Sequence, residues 1–284
     1  MTTQPSEYDR PADWPSAFAA LNQPGRSASL LTIPPRVPAD PYAGLEAVVD
    51  LSRLDLAAIR QTDRSIELGV LAPLQDLVDA PWRDDAAAGI LAEAAHLAAH
   101  PGLRHLATVG GVLLARSGPP EVLLALLALE AEASLRGARG GRSTEPLAKF
   151  LGRPGAPAGK VLTGVQFEQP AAQSGGALAR VARTPRDEAI VAAAAVLVVE
   201  DGVCKHARLS LAGAGVTPRR LPAVEAMLAG KTISAERLSS AAGAAAEGLT
   251  FVSDLRGSAA YRQAMATVVV RRSLTNAWEI ATMP

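Results

Sequence analysis

The sequence predicts an α+β protein: a mixed domain followed by a smaller unit built from a hairpin and helices. Three observations carry this. Short apolar strand-like runs alternate with helical runs through the first 170 residues. A small-residue stretch, "AAQSGGA" (171–177), then reads as a linker. Beyond it, "AIVAAAAVLVVEDGVCKHARLSLAG" reads as two strands joined at Asp201-Gly202, because both turn residues tolerate positive φ. With 284 residues, 49% of them hydrophobic, the chain can bury a sizeable core. Aromatics are 4%, so that core is one of Ala, Val and Leu.

The elements follow in order. Residues 1–26 are Pro-rich and polar and are expected to be poorly ordered. "SASLLTI" (27–33) is a strand stopped by Pro34 and Pro35, and "AVVDLSRL" (47–54) is another. "IELGVLAPLQDLVDAP" is a strand ending near Val70, then a helix from Pro73, a position where proline's missing N–H costs nothing. "AAAGILAEAAHLAAH" is a helix ended by Pro101-Gly102. A helix from Pro120 leads into a strand at "EASLRG", and "KVLTGVQFEQP" is a further strand. After the hairpin come three helices: "LPAVEAMLAG", one capped by Ser234 and a long one capped by Ser258. The last is expected to place Tyr261, Met265, Val268 and Val269 on one face. No repeat of period 20–50 is visible.

Composition excludes several functions. Lys+Arg 28 balances Asp+Glu 28, so nothing electrostatic favours nucleic acid or a membrane surface. One cysteine, Cys204, rules out an intrachain disulfide framework and any cluster or cysteine zinc site made by this chain alone. It reads as a small core residue. The longest apolar runs are too short to insert in a membrane, and the first residues lack a signal pattern, so a cytoplasmic protein is expected. His96 and His100 stand at i, i+4, but lack a neighbouring glutamate and a third ligand, so surface or interface roles are favoured over metal. No local motif marks a Ser/His/Asp set.

The stretch "TVGGVLLARSGPP" (108–120) carries the chemistry. Gly110-Gly111 follows a short apolar run, as a phosphate-cradling turn does, without a Rossmann spacing or a P-loop lysine. From those residues alone, an ordinary tight turn is an equal alternative. Taken with "VVDLSRL", "LGVLAPLQDLV", "HPGLRHLATVGGVLLA", "LLALEAEASLRG" and "KVLTGVQF", in that order and spacing, it resembles the FAD-binding subunits of molybdenum hydroxylases. That family includes the medium subunit of aerobic carbon monoxide dehydrogenase and the flavin part of xanthine dehydrogenase. "RTPRDEAIVAAAAVLVVEDGVCKHARLSLAGAGVTPRRLPAVEAMLAG" and "DLRGSAAYRQAMATVVVRRSL" are similar to its C-terminal domain.

The resemblance implies a two-lobed PCMH-type FAD-binding domain over 27–172. A CO dehydrogenase flavoprotein C-terminal-like domain, an antiparallel sheet with a helix bundle, follows over 177–284. It implies an electron-transfer subunit of an oxidoreductase complex. FAD would pass electrons from a small Fe–S partner subunit to an acceptor, and a molybdenum-cofactor large subunit would oxidise the substrate. It implies cofactor contacts at Thr108, Val109, Gly110 and Gly111, with Ser117 and Glu121 standing where the family carries acids. Orphaned subunits of this kind bury large faces on partners, and the alanine-rich helix 86–99 is expected to offer one. Arg104 is read as a loop or subunit-interface anchor, His105 standing where the family has Asn. Arg183 with Asp187 is read as a staple between domains.

One departure opens a second reading. The family grips the FAD pyrophosphate with two loops of backbone N–H donors, and by position "LLTIPPRV" (30–37) occupies the first. It has no glycine, and Pro34 and Pro35 have no N–H. Val112 replaces the Asn or Ser expected after Gly111. Each lost charge-assisted bond is worth about 1.5–3 kcal/mol, so losing two or three weakens binding by powers of ten. FAD is then expected to be weakly held, or the chain is a non-flavin paralogue acting as a scaffold or interaction protein.

Overall fold

The computed structural model describes residues 5–36, 44–115, 118–185, 187–213 and 218–283. The chain begins with β1 (Glu7–Asp9), α1 (Trp14–Leu21), β2 (Ala28–Leu30) and β3 (Ala47–Val49). These strands form a three-stranded parallel sheet in the order β1-β3-β2. Residues within 1–26 are therefore structured where disorder was expected. The reason is long-range: Glu7 to Asp9 pair with Ala47 to Val49, and Arg26 bonds Glu7 (2.9 Å) and Asp9. Asp13 caps α1 by accepting from the Ser16 N–H at 2.8 Å, and Ala17 and Phe18 are buried.

Next come β4 (Ile59–Gln61), β5 (Ser65–Gly69), α2 (Leu74–Val78), a 3-10 turn (Pro81–Asp84), α3 (Gly89–Ala98), α4 (Pro101–Arg104), α5 (Val109–Ala115) and α6 (Glu121–Ala128). Then follow β6 (Glu132–Gly137), β7 (Arg142–Pro146), α7 (Leu147–Leu151) and β8 (Lys160–Glu168). The strands make a five-stranded antiparallel sheet, β4-β5-β8-β6-β7. Helix α6 is buried on every side, as a helix apolar all round must be. Helix α3 packs on α2, on α6 and on the strand at residues 174–181, so most of its alanines are buried within the chain.

The C-terminal unit comprises β9 (Ser174–Val181), β10 (Val191–Glu200), β11 (Val203–Ala212), β12 (Arg219–Arg220), α8 (Pro222–Leu228), β13 (Lys231–Thr232), α9 (Ala235–Ala244) and α10 (Ala259–Ala281). Its antiparallel sheet runs β12-β11-β10-β9, with β13 on β11. The β10–β11 hairpin turns on Asp201 (φ 51°) and Gly202 (φ 73°), the left-handed pair expected. This sheet is covered on both faces. Ala192, Ala194 and Val196 join the first core, while Val191, Ala193, Ala195 and Leu197 face α8–α10. Burial on both sides explains the unbroken apolar run.

Two sequence readings change here. Ser174-Gly175-Gly176, read as linker, are buried strand residues. A Cβ on Gly175 would overlap the Ala277 carbonyl, and one on Gly176 would come within 2.6 Å of the Ala87 carbonyl. The small residues allow close approach rather than flexibility, and only 171–173 are exposed. The buried face of α10 is Arg262, Ala266, Val269, Val270, Ser273, Leu274, Ala277 and Ala281. Tyr261 is exposed, and Met265 and Val268 are half-buried. A buried arginine displaces the face: Arg262 donates to the Ile190 (2.8 Å) and Gly213 (3.1 Å) carbonyls and pairs with Asp254 at 2.5 Å.

Among the described residues, no helix is long and apolar enough to cross a membrane.

Candidate cofactor-binding site

The two segments expected to face one another do so. Residues 31–36 leave β2 and run against the start of α5, and residues 108–111 supply that start. The Thr108 N–H donates to the Ile33 carbonyl at 2.9 Å, Val109 to Ala72 at 3.0 Å and Gly110 to Val70 at 2.7 Å. The Gly111 N–H donates to Thr108 Oγ1 at 3.1 Å. All four N–H groups of the expected phosphate turn thus have partners within the chain.

The glycines have a packing role. Gly110 and Gly111 lie in the first turn of α5, outside the left-handed backbone region that a nest of successive N–H groups uses. A Cβ on Gly111 would overlap the Ile33 carbonyl, and one on Gly110 would sit 2.8 Å from the Val70 carbonyl. Pro34 and Pro35 are buried against this contact. Ser117 lies outside the described residues.

Glu121 opens α6 and is fully buried. Its Oε1 is 3.2 Å from Arg180 Nε, close enough for an ion pair, but the alignment is poor and neither carboxylate oxygen receives a hydrogen bond. Burial pushes the Glu121 carboxyl above its ordinary range. The Arg180 charge opposes that shift, and the nearby Glu188 adds to it. Arg180 reaches the Pro185 (3.4 Å) and Asp187 carbonyls with its remaining nitrogens. Glu188, in turn, is shared: Arg36 binds it at 2.6 Å, and Arg256 binds both oxygens at 2.6 and 2.9 Å. Arg36, Arg180, Glu188 and Arg256 were not singled out in the sequence. Each stands alone in a loop or strand, and only the fold gathers them.

Other expected residues take structural places. His96 and His100 do not share a helix, because α3 ends at Ala98 and His100 Nδ1 caps α4 by accepting from the Leu103 N–H at 3.4 Å. Arg104 is buried and anchors a loop, one of the two roles read for it. It donates to the His96 and Ala99 carbonyls at 3.1 and 3.3 Å, closing the end of α3, and to Gln75 Oε1 at 2.9 Å. Arg183 and Asp187 pair locally at 3.5 Å on a half-exposed loop instead of stapling domains. Ties across the units include Arg36–Glu188, Arg180–Glu121, Glu130 with Arg208 and Arg220, and Ser210 Oγ, which donates to the Leu124 carbonyl at 2.8 Å. Among the described residues, no three His, Cys, Asp or Glu gather as a metal site.

A cleft of about 400 Å³ lies beside the paired loops, walled by Leu21, Leu30, Leu114, Ala156 and Val161. Larger clefts of about 760 and 690 Å³ lie on the sheets, away from residues 108–111.

Comparison with known proteins agrees with this architecture. Residues 40–169 match the FAD binding domain in molybdopterin dehydrogenase, and residues 177–277 match the CO dehydrogenase flavoprotein C-terminal domain. The carbon monoxide dehydrogenase medium chain of Hydrogenophaga pseudoflava is 31% identical over 280 residues, covering 96% of each chain. The 6-hydroxypseudooxynicotine dehydrogenase complex subunit alpha of Paenarthrobacter nicotinovorans is 33% identical over 235 residues, covering 81% of this chain and 79% of that one. A structure of carbon monoxide dehydrogenase from H. pseudoflava, lacking the Mo-pyranopterin moiety, superposes with a TM-score of 0.88 at 31% identity, covering 99% of both chains. Sequence and fold together place this chain in the family of FAD-binding medium subunits of molybdenum hydroxylases, the carbon monoxide dehydrogenase medium-chain family.

Proposed function

We propose that this chain is the medium subunit of a molybdenum-hydroxylase-type oxidoreductase complex, assembling in the cytoplasm with a molybdenum-cofactor large subunit and a small Fe–S subunit. The observation that carries the reading is the end-to-end match: both family domains are present in order, and one medium chain aligns over 96% of its length. With one buried cysteine it can ligate no cluster, so iron–sulfur and molybdenum chemistry belong to partners.

When bound to a subunit of this family, FAD supplies the step that carries electrons from an Fe–S partner to an acceptor. The residues present here do not fit its pyrophosphate. Thr108, Val109 and Gly110 spend their N–H groups on carbonyls of the chain, Gly111 caps onto Thr108, and Pro34 and Pro35 have none. Assembly rather than flavin electron transfer is therefore the role assigned to this chain.

Co-expression with large and small subunits of the family, followed by affinity capture and gel filtration, tests the proposal. Co-elution of all three chains is expected. A chain that elutes alone, as a clean monomer, would overturn it.

A further inference from the structure

We infer that this medium subunit is closed without flavin: the chain's own loop and an ionic clasp fill the gap that an FAD pyrophosphate would need. The inference rests on the family reading above, and three independent features carry it.

The first is donor supply. An anion with two negative charges must be paid in N–H groups or cations. Of the four N–H groups at 108–111, three are bound to backbone carbonyls, and exposing those carbonyls would leave buried acceptors unpaired. Helix α5 has seven residues, too short for its dipole to compensate.

The second is space. The Ile33 carbonyl and the Pro34 nitrogen pack directly on Gly111 Cα, with Pro34 and Pro35 buried. Both prolines hold φ near −65°, so the loop cannot turn its backbone outward to make a nest.

The third is charge. The residue after the prolines, Arg36, is bound to Glu188, and Glu188 is bound bidentately to Arg256 of the C-terminal unit. Gly118 (φ +95°) faces Arg36, a Cβ there coming within 3.0 Å of the arginine Cβ. Behind this clasp, Arg180 faces Glu121. Among the described residues, Arg36, Arg180 and Arg256 each already have a carboxylate partner, Glu188 or Glu121, so none of the three is an unpaired cation. Opening the loop means breaking Arg36–Glu188, the tie between the first loop and the C-terminal unit.

The test is direct flavin binding to the full chain, alone and in its complex, read by fluorescence of flavin released on denaturation and by melting temperature with added FAD. Flavin far below one per chain and no upward shift are expected. Stoichiometric FAD, or a saturable rise in melting temperature, overturns the inference. The variant Ile33→Gly, Pro34→Gly, Pro35→Thr, Arg36→Ser restores donors and releases the clasp, and it should raise FAD affinity at least about tenfold. A variant with native circular dichroism and no gain also overturns it, and the wild-type titration decides the matter if the variant does not fold. Capture of partners is scored separately. A chain that binds both partners and carries FAD sinks this inference alone, whereas one that binds neither and carries none sinks only the assembly proposal.

Discussion

The backbone of Ile33 lies so close to Gly111 that a single added methyl on residue 111 would overlap the Ile33 carbonyl oxygen. The contact is backbone on backbone, so no side chain can swing away to relieve it. Gly111→Ala is expected to cost about 1–3 kcal/mol, the range of core overpacking. Gly243, near the end of α9, is the control, since a Cβ there meets nothing within 4 Å. Gly243→Ala should leave stability unchanged or raise it by up to about 1 kcal/mol. Urea denaturation of both variants distinguishes a packing glycine from a free one. Equal midpoints for the two would contradict the close approach.

Removing Arg180 should be more damaging than removing Glu121. Arg180→Met leaves a buried carboxylate without its opposite charge, at an expected cost of about 3–5 kcal/mol. The effect should depend on pH. Because burial raises the Glu121 pKa in the fold, the folded chain holds that proton more tightly than the unfolded one. Stability from this group is complete below the ordinary carboxyl pKa and declines as pH rises through the raised folded value. Arg180→Met lifts that value further and should extend the decline to higher pH, while Glu121→Gln should abolish it. Denaturant midpoints measured from acid to neutral pH check the order; identical profiles for all three proteins would refute it.

Cys204 should be inert in the native chain. It is fully buried on β11, and burial pushes its thiol up to about 11, with Arg208 opposing weakly. Little thiolate forms at neutral pH, and reagents cannot reach it. A thiol-reactive chromophore should label no cysteine until denaturant is added and one per chain afterwards. Rapid native labelling would place Cys204 at the surface.

Limited proteolysis should spare residues 174–181. These form β9, paired along its length with β10 and covered by α10. Within the segment read as a linker, cleavage is expected only at the exposed 171–173. Mass spectrometry of early fragments gives the answer. Early cuts inside 174–181 would restore the linker reading.

Local chemistry was legible where it was self-sufficient. Asp201-Gly202 names its turn because both residues accept left-handed backbone, and Ser234 and Ser258 name their caps because each accepts from an N–H three residues on. The readings that failed depend on partners distant in sequence. Glu7 to Asp9 become a strand only against Ala47 to Val49, Gly175 is small because of Ala277, and Arg262 is buried because Ile190 and Gly213 offer carbonyls. At the candidate site the sequence located Gly110-Gly111 and the opposing prolines. It could not tell that the N–H groups were already engaged, because the carbonyls of Ile33, Val70 and Ala72 arrive from other segments.

Where α10 comes nearest its sheet the contact is alanine on glycine, Ala277 over Gly175, with Ala193, Ala195 and Ala266 in the same core beside Val269, Val270 and Leu274. Alanine surrenders no rotamer freedom on burial, so ordering this contact costs little entropy beyond the backbone. Each alanine also removes little apolar area from water, so unfolding the contact adds little to the heat capacity. This alanine contact should therefore add less curvature to the stability of the C-terminal unit than the same number of leucines would. The low side-chain bulk that lets the helix lie close to the strands thus also makes that contact less sensitive to temperature.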